Sequence, residues 1–208
     1  WKRKPVPLIM KNTLRIAFMG TPEFAVASLE ALLDEGFPVV VVVTAPDRPA
    51  GRGRKLKASP VKECALKYGI PVLQPERLKD PEFVAQLRDF RINLQVVVAF
   101  RMLPEVVWSL PALGTFNLHA SLLPDYRGAA PIHWAVINGE RETGVTTFFI
   151  DAQIDTGKII LQEKVPVGPD ETTGEVYDRL MERGAALVLE TVRKIESGPV
   201  ETRTQKHL

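Results

Sequence analysis

Cysteine is the scarcest reactive residue in the chain. Cys64 stands alone among 208 residues, so no internal disulfide can form and no cysteine-based zinc site can be assembled. The count fits a reducing compartment, with the cytoplasm as the expected location. Long apolar runs are missing too, because the longest, Pro38 to Val43 with its neighbours, falls far short of the roughly 18 to 20 residues that cross a bilayer. The basic opening from Trp1 to Ile9 lacks an apolar core segment and is not read as a secretory signal. Met10-Lys11 has the look of a natural start, so residues 1–9 are expected to be a non-native or disordered extension. Charge of one sign is not in excess either: 27 Lys and Arg stand against 25 Asp and Glu, a formal net charge of +2. That balance excludes the global surplus of a histone-like nucleic-acid binder, and any basic patch has to be local. What is present, 45% hydrophobic and 25% charged residues without repeats or low-complexity tracts, excludes wholesale disorder and predicts one compact α/β unit with at most a tail.

The apolar pattern fills in that unit. Leu14 to Met19, ending at Gly20, reads as a buried strand, and a helix follows in which Thr21 is the expected cap and Pro22 the first turn. Five successive valines, Val39 to Val43, predict a strand covered on both faces, as in a parallel sheet. Strand, helix, strand is the βαβ unit of an α/β fold. Ala45 to Ser59 then breaks the pattern and predicts an exposed loop. Helices are expected over Pro60 to Tyr68, Pro81 to Phe90 and Ala129 to Ile137, with a short turn over Pro104 to Leu110. Strands are expected over Pro71 to Leu73, Leu94 to Phe100 and Gly114 to Leu118. Thr143 to Ile150 and Lys158 to Val165 read as a hairpin-like pair, giving the C-terminal third an antiparallel edge, before a long helix from Thr172 to Ser197 and a polar tail.

Three segments bear on chemistry. The first βα turn carries one glycine, Gly20, where a dinucleotide fingerprint needs three, and no Gly-Lys-Ser/Thr follows it, so nucleotide-cofactor chemistry is disfavoured. A plain helix N-terminus accounts for this turn, although such a terminus can still face a ligand. The stretch from Thr115 to Pro131 is richer. Asn117 and His119 are two apart at a strand end, so both side chains share a face while Phe116 and Leu118 take the other. Asp155, before Thr156-Gly157, is either a turn residue or a carboxylate that orients the imidazole for acid-base work at an acyl carbon. With no serine or cysteine placed as nucleophile, the trio suggests direct transfer to a substrate that brings its own nucleophile. In the loop, Arg48, Arg52, Arg54, Lys55 and Lys57 face only Asp47, a surplus suited either to a solvated surface or to RNA phosphates.

Asn117-Leu118-His119 followed by Ser121-Leu122-Leu123-Pro124, with the later Asp155-Thr156-Gly157, resembles the folate-dependent formyltransferase family from about Leu14 to Gly198. Within it the match is finest to members acting on tRNA, through Phe18 to Ala25, Pro46 to Leu56 and Tyr126 to Pro131. The resemblance implies a Rossmann-like, mostly parallel sheet flanked by helices. It implies transfer of the formyl group of 10-formyltetrahydrofolate to the α-amino group of methionyl-initiator tRNA, without a metal. Asn117, His119 and Asp155 would be catalytic. Ser121, Leu122, Leu123, Pro124, Phe100, Arg101, Met102, Leu103 and Asp151 would meet the folate. Gly20, Thr21, Pro22, Phe24, Arg48, Arg52, Arg54, Lys55 and Arg127 would meet the tRNA acceptor arm. Residues 10–198 would be the catalytic domain and 199–208 a tail or the start of a linker, the small tRNA-holding β-barrel domain of similar chains being absent from this sequence. An amino sugar or ribonucleotide amine as acceptor, and a non-catalytic RNA-binding module, are the competing readings.

Overall fold

A computed structural model describes residues 14–206, so the extension over residues 1–9 lies outside the described residues. Seven strands form one sheet in the order β5-β2-β1-β6-β7-β8-β9. These are β1 (Ile16–Gly20), β2 (Val39–Val43), β5 (Val72–Leu73), β6 (Leu94–Val98), β7 (Thr115–His119), β8 (Glu142–Phe149) and β9 (Ile159–Pro166). The first five run parallel, and β8 and β9 add antiparallel to β7, forming the expected edge.

Burial on two faces explains the near-continuous apolar strands. Ile16 and Phe18 of β1 and Val96 and Val98 of β6 join a core with α1 (Glu23–Asp34), α2 (Pro60–Lys67) and α6 (Thr173–Ser197), while Ala17, Met19 and Val97 face α3 (Pro81–Asp89) and α4 (Glu105–Trp108). A side chain such as Phe116, with no exposure, contributes roughly 1.5–3 kcal/mol through burial, so swapping the faces of any central strand is costly. Cys64 belongs to the first core, and burial raises its thiol pKa.

Two local expectations change. Thr21 does not cap α1; its Oγ1 accepts the N–H of Ala45 at 3.3 Å, and the residue before the helix is Pro22 with no side-chain cap. The segment expected as a loop over Ala45 to Ser59 contains a fully exposed hairpin, β3 (Arg48–Ala50) against β4 (Lys55–Lys57). It escapes a pattern reading because neither strand has a buried face to impose alternation. A carboxylate anchors its root: Asp47 accepts from Lys62 Nζ at 2.6 Å and from Gln74 Nε2 at 2.8 Å. Those bonds, Lys62's first, hold the Asp47 carboxyl below its ordinary value.

Candidate active site

Strand order reverses direction between β1 and β6, and in open α/β sheets ligands gather beyond the carboxyl ends at such a point. A cleft of about 1240 Å³ lies there. Its wall includes Thr21, Pro22 and Phe24 after β1, Ala99 to Leu103 after β6, Asn117 to Ala120 at the end of β7, and Ala129 to His133 leading into α5 (Pro131–Ile137). Arg48, Ala50 and Lys57 of the hairpin close one side, and Asp151 with Gln153 to Asp155 of the β8–β9 connection closes the other.

The structure brings Asn117, His119 and Asp155 together. Asn117 sits in the cleft wall with its Oδ1 buried and no hydrogen-bond partner for that atom, an arrangement that ordinarily marks a position awaiting a ligand. His119 is buried, and its Nε2 lies 2.8 Å from the Tyr126 carbonyl, which can only accept, so Nε2 carries the proton. That bond turns Nδ1 toward Asp155, whose Oδ2 is 3.7 Å away. The gap is too long for a direct hydrogen bond and short enough for an ion pair or one bridging proton carrier. Oδ2 also accepts the Gly128 N–H at 2.7 Å. Tyr126 is itself tied down, its hydroxyl donating to Glu140 at 2.6 Å and accepting from Asn138, and the bond to Glu140 raises its pKa, so the phenol stays neutral.

Asp155 adopts φ +52°, a left-handed backbone that Asp tolerates better than most residues. The following Gly157 has no alternative, because a Cβ there would lie 1.6 Å from the Phe149 carbonyl oxygen.

The folate-side expectations divide. Phe100, Arg101, Met102, Leu103 and Asp151 line the cleft. Arg101 donates to the Pro75 and Glu76 carbonyls and lies over the Phe100 ring, and burial draws its pKa down. Ser121, Leu122, Leu123 and Pro124, by contrast, are not in the cleft wall. Ser121 donates to the Asp125 carbonyl at 2.6 Å, Leu122 packs where a side chain on Gly144 would go, and Leu123 joins a small core with Phe148 and Ile159. These four residues follow His119 closely in sequence yet are packed outside the cleft lining.

On the acceptor side, Thr21, Pro22, Phe24 and Arg48 reach the cleft, whereas Arg52, Arg54 and Lys55 lie at the exposed end of the hairpin. Gly20 is a packing requirement, since a Cβ there would approach the Val98 carbonyl oxygen and the Ala25 Cβ to 2.7 Å. Arg127 does not line the cleft; it binds the Asp155 carbonyl and the side chain of Gln205. Nothing in the amino-acid pattern singles out Gln205. Among the described residues, no group of three or more His, Cys, Asp or Glu is placed to hold a metal, and no helix is long and apolar enough to cross a membrane.

The family model for formyl transferase matches residues 14–192. Methionyl-tRNA formyltransferase of Bacteroides fragilis is 57% identical over 198 residues, covering 95% of this chain and 61% of the relative. That of Flavobacterium johnsoniae is 58% identical over 193 residues, covering 93% of this chain and 61% of the relative. The chain thus spans about three fifths of the length of these curated relatives. Among solved structures, glycinamide ribonucleotide transformylase 1 from Symbiobacterium toebii shares the fold with a TM-score of 0.77 at 22% identity, over 93% of this chain and 95% of that one. An N-formyltransferase from Helicobacter canadensis, solved with folinic acid and dTDP-3-aminofucose, aligns with a TM-score of 0.71 at 25% identity, over 94% of this chain and 68% of that one.

Proposed function

The chain belongs to the formyl transferase family, and from that premise we propose that it moves the formyl group of 10-formyltetrahydrofolate to the α-amino group of methionyl-initiator tRNA in the cytoplasm. The observation that carries the reading is the meeting of Asn117, His119 and Asp155 at one end of a cleft large enough for an extended donor. Identity near 57% to methionyl-tRNA formyltransferases supports an aminoacyl-tRNA over a sugar or nucleotide amine as acceptor, and the intact trio supports an enzyme over a plain RNA-binding module.

The chemistry asked of the residues is modest. The amine brings its own lone pair, so the protein supplies no covalent nucleophile. As the amine bonds to the formyl carbon, negative charge grows on the formyl oxygen. The Nδ2 amide of Asn117 and, when it carries a proton, the Nδ1 of His119 are the donors at hand, each worth about 3 kcal/mol by analogy with single oxyanion donors. The attacking nitrogen must lose a proton, and the folate nitrogen must recover one as its bond to the formyl carbon breaks. Asp155, beside Nδ1 of His119, is placed to relay that proton, directly or through water. Phe100 to Leu103 and Asp151 offer the walls for the folate ring system, and Arg48 with Lys57 flanks the entrance on the acceptor side.

Formyl transfer to charged initiator tRNA, compared with an amino sugar and a ribonucleotide amine, tests the reading. Asn117→Ala and His119→Ala should each lower kcat about a hundredfold or more with donor affinity nearly unchanged. Near-normal turnover in either variant rejects the assignment.

A further inference from the structure

Composition makes the segment after α6 a polar tail, yet the structure folds it along the open edge of β9. Arg203 pairs antiparallel with Ile159, the Ile159 N–H donating to the Arg203 carbonyl at 2.8 Å and the Arg203 N–H returning the bond at 2.9 Å. Alternate residues of an extended segment share a face. The Arg203 side chain accordingly reaches Gln162 at 2.8 Å, and two residues on, Gln205 enters the protein. It is 5% exposed in a run of exposed neighbours.

A buried carboxamide is costly unless its hydrogen bonds are made, and Gln205 makes them all with the loop and turn behind the cleft. Its Nε2 donates to the Asp155 carbonyl at 2.8 Å and to the Gly157 carbonyl at 2.9 Å. Its Oε1 accepts from Arg127 Nη2 at 2.8 Å and from Nε at 3.2 Å. Next to Arg127, the Gly128 N–H donates to the Asp155 carboxylate, and one residue before Arg127 the Tyr126 carbonyl accepts from His119. Gln205 thus closes a ring that holds the backbone under the carboxylate and the turn under the imidazole at once.

We propose that Gln205 is a positioning residue for the reaction: it sets the separation of Asp155 from His119 by clamping the Asp155–Gly157 backbone to Arg127. This rests on the reading of Asn117, His119 and Asp155 as the reacting trio. A misplacement of about 1 Å at reacting groups costs up to about a hundredfold in rate. On the full chain, Gln205→Ala should therefore lower kcat about tenfold to a hundredfold while KM for donor and acceptor stays within about threefold.

A merely structural role is separated by a cycle with Asp155→Asn. If Gln205 acts through Asp155, adding Gln205→Ala to Asp155→Asn should lower kcat by less than about twofold. The full loss repeated in that background overturns the proposal. Gln205→Glu keeps a partner for Arg127 but cannot donate to the two carbonyls, so it should match Gln205→Ala; wild-type turnover in Gln205→Glu overturns the proposal even if Gln205→Ala fails to fold. An arm without substrate reads hydrogen exchange at the Gly128 amide, which should speed up at least about tenfold in Gln205→Ala as its acceptor loosens. If the unaltered chain formylates no amine, the functional reading fails on its own account. Unchanged Gly128 exchange would then still overturn the clamp.

Discussion

Asp155 is the residue where structural and chemical roles can be separated most sharply. Its Oδ2 accepts from the Gly128 N–H and faces His119, while its backbone, in a left-handed conformation, is gripped by Gln205 and Arg127. Asp155→Asn preserves size, one acceptor oxygen and tolerance of positive φ, and removes the charge and its basicity while putting an amide donor in place of the second oxygen. Turnover should fall on the order of a hundredfold or more, the usual worth of a placed acid-base group, with the melting temperature nearly unchanged. A lowered melting temperature with activity retained would return Asp155 to the part of a turn residue. At this scale the sequence was legible where local geometry decides: Asn117 and His119 share a face because a strand alternates. Nothing local says which way the chain turns after His119, and so Ser121 to Pro124, close in sequence, lie outside the cleft lining. Gln205 was illegible for a related reason, since its burial depends on pairing with β9, a strand some forty positions away.

Among the elements, α6 is specified most completely by its own residues. The Thr172 Oγ1 accepts the Glu175 N–H at 3.2 Å, and the Glu175 carboxylate takes the Thr172 N–H at 2.8 Å, a reciprocal cap at the start of 25 helical residues. Thr172→Ala should cost about 1 kcal/mol by chemical denaturation. The Glu175 carboxyl is held below its ordinary value, first by the backbone bond from Thr172 and then by the hydroxyl. A depressed carboxyl contributes stability above the unfolded-state pKa and loses it as pH falls through the folded-state value. Unfolding measured down that acid range should therefore show less acid sensitivity in Glu175→Gln than in the parent chain. Strands and long helices were readable because burial on two faces, or on one stripe, leaves its mark on composition. The hairpin was not, because it buries nothing.

Across the whole molecule, the sheet reversal places the cleft, and the hairpin beside it gathers positive charge that the net charge conceals. Arg52 and Arg54 lie away from the cleft wall and pair with no carboxylate among the described residues, so with tRNA as the proposed acceptor their part in holding it should be long-range and sensitive to salt. Replacing both with Ala should weaken tRNA binding most at low ionic strength. The slope of log affinity against log salt should shrink by about 0.7 to 0.9 for each phosphate no longer neutralised, with donor binding unaffected. An unchanged slope would make the hairpin a solvated ornament. Four non-glycine residues with positive φ, Ala99, Tyr126, Ala130 and Asp155, border this one cleft or support its histidine. The helices and strands around them hold such uncomfortable torsions in place. If the chain transfers formyl groups as proposed, relaxing one should show that heat tolerance and turnover are opposed: Ala130→Gly, free of the left-handed penalty of about 1 kcal/mol, should melt later and, with a looser cleft floor, work more slowly.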